Sequence, residues 1–80
     1  MAVVRLFAAA RTAAGVAHDT VPGATVDEVI GNAVDRYGAE FAAVLEVCSI
    51  WRNGEPVTGS DPVLDTDEIG VLPPVSGGSR

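Results

Sequence analysis

Residues 25–37 hold the clearest amphipathic helix in a chain of 80 residues, and a chain with one such helix has few folds open to it. Thr25-Val26-Asp27-Glu28 fits a capping box. The threonine hydroxyl takes one free N–H of the first turn, and the glutamate carboxylate reaches back to another. Val26, Val29, Ile30, Ala33, Val34 and Tyr37 recur at helical spacing on one face. Asp27 and Glu28 lie in the first turn and Arg36 in the last, which suits the helix dipole. Gly38 is the natural stop. One such helix has one apolar stripe to bury, and a single sheet laid over it is the economical solution.

The rest of the chain supplies the strands. Val3, Arg5 and Phe7 alternate with Val4 and Leu6, which predicts a first strand with β-branched residues on both faces. Ala8 to Ala14 is alanine-rich and ambiguous, and Gly15 breaks it. Val16 to Val21 reads as a second strand, closed by the turn Pro22-Gly23. Phe41, Val44 and Leu45 suggest a second, short helix. Val47 to Arg52 reads as a strand. Asn53-Gly54 signals a hairpin, because both residues tolerate positive φ, with Pro56-Val57-Thr58 as the short return strand. Gly59 to Pro62 reads as a loop, Asp65-Thr66-Asp67 as a turn, and Glu68 to Leu72 as the last strand, running alongside the first. The predicted class is α+β: a mixed sheet of about five strands gripping one main helix and one short helix, the β-grasp arrangement. Residues 1–72 form the domain and 73–80 an extended tail.

Size and charge narrow the function. A chain this short buries only about 60% of its unfolded surface. Its single cysteine cannot form an internal disulfide. The apolar stretch Phe7 to Ala10 is short and flanked by Arg5 and Arg11, which predicts neither a signal peptide nor a membrane span and favours the cytoplasm. Eleven acidic residues face five arginines and no lysine, for a net charge of −6. A nucleic-acid binder needs a basic stripe, so that class is set aside. An acidic surface suits a soluble protein that meets a basic partner.

The carboxyl end is the most specific stretch: Leu72-Pro73-Pro74-Val75-Ser76-Gly77-Gly78-Ser79-Arg80. Two prolines stop a strand and hold the chain extended. Two glycines then give a stretch bare of side chains, able to enter a channel too narrow for a Cβ. A stiff stalk with a bare tip suits an end inserted into another protein's active site. Extended, Pro73 to Gly78 reaches about 20 Å, and it is expected to be mobile in the free protein.

The sequence resembles the small subunit of molybdopterin synthase, a ubiquitin-like sulfur carrier. The resemblance rests on Val4-Arg5-Leu6-Phe7-Ala8-Ala9-Ala10-Arg11 with Gly15, on Thr25-Val26, on Asn53-Gly54, on Asp67-Glu68-Ile69, and above all on Leu72-Pro73-Pro74-Val75-Ser76-Gly77-Gly78. It implies that the carboxylate of Gly78 is adenylated with ATP by a ubiquitin-activating-like adenylyltransferase. Sulfur then replaces the adenylate to give a thiocarboxylate, and the large synthase subunit accepts the tail. It also implies that Gly77, with Ser76 and Val75, enters the partner's channel. The carrier itself binds no cofactor or metal, and the catalytic groups are expected on its partners. Two positions depart from the family pattern. Thr66 stands where members often have glycine, a change a type I turn accommodates. Ser79-Arg80 follows Gly78, so the reacting carboxylate exists only after these two residues are removed. Two other classes stay open: a carrier for thiamine or cysteine synthesis, and a β-grasp interaction module that carries no sulfur.

Other residues invite chemistry and are read more plainly. Cys48 has no cationic neighbour in sequence and reads as a small buried hydrophobe. His18 has only Asp19 beside it and reads as an exposed strand residue. Asp61, Asp65, Asp67 and Glu68 lack calcium-loop spacing and read as turn residues and a solvated face. At Trp51-Arg52, either Trp51 enters the core or Arg52 lays its stem over the sheet with its charge in water. One helix covers only one face of the sheet. An apolar docking patch is therefore expected beside the tail, with Phe7, Val57, Leu72, Pro73 and Pro74 as its candidates.

Overall fold

The computed structural model describes residues 1–74. Its first strand, β1 (Ala2–Leu6), buries Ala2, Val4 and Leu6 and turns Val3 and Arg5 to the opposite face. That is the two-residue period of a strand with one covered side.

The alanine-rich run is helical. α1 (Ala8–Ala14) adds a short helix to the two expected from sequence. Alanine has the highest helix propensity, and fully buried Ala10 anchors the turn to the core. Gly15 ends it in the left-handed region at φ 81°, where its N–H bonds the Arg11 carbonyl. β2 (His18–Val21) then returns antiparallel to β1.

α2 (Val26–Tyr37) begins where the capping box places it. The Glu28 N–H donates to Thr25 Oγ1 at 3.2 Å. Glu28 Oε1 accepts from Ala24 N–H at 2.8 Å, one residue before the cap rather than at it. Val26, Val29 and Ala33 are buried. After Gly38, α3 (Ala39–Leu45) sends Phe41 fully into the core, its ring edge-on to Tyr37 with centroids 5.1 Å apart. Truncating a ring so buried costs about 3–5 kcal/mol.

β3 (Ser49–Arg52) starts two residues later than expected, because the helical turn carries on through Glu46. Val47 and Cys48 still bond back to Val44 and Leu45. Asn53 at φ 52° and Gly54 at φ 85° make the hairpin turn. The return strand is short, β4 (Glu55–Pro56), with one further bond from Val57 N–H to the Ile50 carbonyl. β5 (Glu68–Leu72) is the last strand, parallel to β1 and antiparallel to β3. The sheet order is β2-β1-β5-β3-β4. Val4 beside Ile69 and Leu6 beside Val71 join the two central strands on the covered face. The architecture is the α+β β-grasp arrangement predicted from sequence.

Candidate docking face and tail exit

The helices cover one face of the sheet, and the strand period assigns the residues of the other. Arg5 and Phe7 from β1 and its end, Glu68, Gly70 and Leu72 from β5, and Trp51 from β3 share that open face. Arg5 and Trp51 flank Gly70 in register on either side. Together with Gly54 these residues line a groove of about 190 Å³.

Gly70 makes the groove. A Cβ there would lie 3.1 Å from Leu72 Cδ1 and 3.9 Å from both Phe7 Cε2 and Trp51 Cβ. Without one, the backbone of β5 is a bare floor between two aromatic walls. Phe7 is 45% exposed and Leu72 37%, and here the two lie together on one face rather than scattered singly. The Arg5 Nε–H donates to Glu68 Oε2 and gives the groove a polar end. An apolar centre with a charged rim is the composition of a transient protein interface. The arrangement offers shape and apolar area rather than acid–base chemistry.

β5 is the central strand, held on both sides, and the chain leaves it at Leu72 beside this groove. Pro73 is half-buried and Pro74 exposed. Val75, Ser76, Gly77 and Gly78, the expected inserting and reacting residues, lie outside the described residues.

Phe7 and Leu72 thus meet on the open face, but Val57 does not join them. It is half-buried and packs against the core on the covered side. Trp51 supplies the groove wall in its place. Sequence left Trp51 open because the assignment depends on register. Ile50 and Arg52 pair with buried Val71 and Ile69 on the covered side, which turns Trp51 outward. Arg52 resolves with it. Its side chain is half-buried and its Nη1 donates to the Pro62 carbonyl at 2.6 Å.

The remaining candidates have structural employment. The Cys48 thiol is half-buried, donates to the Val44 carbonyl at 3.2 Å, and is pushed up in pKa by burial, the opposite of an activated nucleophile. His18 is exposed on β2. Asp61 accepts from Thr58 N–H at 2.8 Å. Asp67 accepts from Leu64 N–H and from Asn53 Nδ2, each at 2.8 Å. Asp65 meets the amino terminus. No helix among the described residues is long and apolar enough to cross a membrane.

Comparison with known proteins agrees with this geometry. The model of the ThiS family matches residues 4–78. Small archaeal modifier protein 1 (SAMP1) from Methanosarcina acetivorans is 32% identical. The match covers 96% of this chain and 95% of that one, with a TM-score of 0.85. A chain of the Amycolatopsis orientalis BexX/CysO complex is 26% identical over 98% of this chain and all of its own, with a TM-score of 0.84. A Pyrococcus furiosus protein with the provisional name of molybdopterin converting factor subunit 1 is 29% identical. That match covers 92% of this chain and 97% of that one, at a TM-score of 0.80. No curated protein matches the chain. The sheet, the exit of β5 and the match through Gly78 lead to one assignment: this chain belongs to the ThiS family and has the β-grasp fold of its ubiquitin-like sulfur carriers.

Proposed function

We propose that the chain is the sulfur-carrier subunit of molybdopterin synthase, working in the cytoplasm. The observation that carries this reading is the course of β5. A strand fixed on both sides ends at an apolar groove, and the sequence beyond it runs Pro-Pro-Val-Ser-Gly-Gly. With Ser79 and Arg80 removed, the Gly78 carboxylate attacks the α-phosphate of ATP on the adenylyltransferase and releases pyrophosphate. A sulfur donor then displaces AMP from the acyl-adenylate and leaves a thiocarboxylate. The groove seats the large synthase subunit while Val75 to Gly78 enter its channel. There the thiocarboxylate sulfur bonds to a pterin precursor, and water cleaves the acyl–sulfur bond, which leaves the sulfur on the pterin and restores the carboxylate. Dithiolene chemistry and its acid–base groups belong to the partner.

The likeness to a chain of the BexX/CysO complex supports a second reading, a carrier that serves another sulfur-inserting pathway such as thiamine or cysteine synthesis. The two readings part at the acceptor. A chain ending at Gly78, loaded with sulfur and mixed with a molybdopterin synthase large subunit and pterin precursor, should yield dithiolene product. Loading without product favours the second reading. Failure to load at all leaves a β-grasp interaction module.

A further inference from the structure

β2 is an edge strand, and an edge strand offers its outward N–H and C=O groups to any passing strand. In this chain the outward groups at Thr20 and Pro22 are already taken. The Leu6 N–H bonds the Ala17 carbonyl at 2.8 Å, which marks that pair as a bonded pair of the β1–β2 ladder. Bonded and non-bonded pairs alternate along an antiparallel ladder. Val4 and Asp19 are therefore the next bonded pair. Val3 and Thr20 form a non-bonded pair, so the N–H and C=O of Thr20 point outward, away from β1.

Both outward groups of Thr20 are capped by side chains. Its N–H donates to Asp19 Oδ1 at 2.9 Å, and its carbonyl accepts from Arg36 Nη1 at 2.8 Å. Pro22, the next residue to face outward, has no N–H, and its carbonyl accepts from Asn32 Nδ2 at 2.8 Å. Asn32 and Arg36 are one helical turn apart on α2, so a single helix face serves both carbonyls. The set is locked to itself. Arg36 Nη1 also meets Asp19 Oδ2 at 3.0 Å, and the Tyr37 hydroxyl donates to the same oxygen at 2.8 Å. The far edge of the sheet, β4, is two residues long and ends in Pro56.

We infer that Asp19, Asn32 and Arg36 form a plug that closes the β2 edge against strand addition by a second copy of this chain. An open β2 edge would be self-complementary. Two copies could pair antiparallel about a two-fold axis, each offering His18 and Thr20 to the other. The plug keeps the carrier single and leaves the open sheet face as its meeting surface.

The test is the mass in solution by light scattering across a wide range of protein concentration. The native chain should run as one copy throughout. The Asp19→Ala/Arg36→Ala variant should double in mass as concentration rises, with the Thr20 amide losing exchange protection on dilution. Adding Thr20→Pro to that variant removes the outward N–H at a position where an edge strand tolerates proline, and should restore one copy. If the double variant does not fold by circular dichroism, Asn32→Ala/Arg36→Ala is read in its place. It keeps the tie from Tyr37 to Asp19, bares the Thr20 and Pro22 carbonyls, and should pair at higher concentration because Asp19 still caps the Thr20 N–H. A folded plug variant that stays at one copy overturns the inference, and so does a native chain already paired through β2.

Discussion

Trp51 and Gly70 stand opposite each other across β3 and β5, and the side chain that Gly70 lacks is the space between Trp51 and Phe7. A groove built on a missing Cβ can be filled without touching the core. Gly70→Ala is tight only against the end of Leu72, at 3.1 Å, and a leucine terminus can shift. The expected change in stability is within about 1 kcal/mol. Capture by the large synthase subunit should weaken about tenfold, near 1.4 kcal/mol of binding. Thermal melting and binding isotherms of the same preparations check both halves.

Phe7→Asp should separate fold from docking more sharply. Phe7 occupies the cap position of α1 with extended backbone and makes no side-chain cap bond. Aspartate is a favoured capping residue there, and the cap it adds offsets lost packing. Melting should move little while capture is abolished. Binding that survives would place the docking surface elsewhere.

Acid and alkali should act on the ties between elements. The Asp19 carboxyl is held below its ordinary value of 3.8, first by the Tyr37 hydroxyl and then by Arg36. Asp67 is held below it by the Leu64 N–H and then by Asn53. A depressed carboxyl contributes stability that is present above its ordinary value and lost as pH falls through the folded one. The melting temperature should therefore drop below about pH 4, and less steeply in Asp67→Asn.

At the other end, burial and the Asp19 carboxylate push Tyr37 up from 10.0 to about 12. A raised value contributes stability that is whole below pH 10 and lost as pH rises toward 12. In Tyr37→Phe this alkaline loss should disappear. A melting curve taken at each pH reads both limbs.

The elements that announced themselves in sequence were those whose signals are local. α2 follows from a threonine and a glutamate three residues apart, and the hairpin from Asn53-Gly54. β5 keeps the predicted bounds because Ile69 and Val71 alternate with residues of the open face. What escaped depends on contacts distant in sequence. α1 is helical because Ala10 has a core to enter. Val57, expected on the docking face, packs on the covered side, and Trp51, which sequence left open, faces outward, because one register step decides which face a strand residue takes. The plug joins Asp19 to Arg36, 17 residues away, across a strand edge that no local pattern marks.

The central claim is that Gly78 carries sulfur. An adenylyltransferase acts on a terminal carboxylate, and Gly78 has none while Ser79 and Arg80 follow it. Gly78→Ala in a chain ending at that residue adds a Cβ to the tip meant for a narrow channel. It should greatly slow transfer while leaving melting unchanged. The direct measurement is the intact mass of the carrier after incubation with the activating enzyme, ATP and a sulfur donor. The chain ending at Gly78 should gain the mass of one oxygen exchanged for sulfur, and the chain ending at Arg80 should gain nothing. Sulfur on the Arg80 carboxylate, or none on the Gly78 chain, would contradict the account.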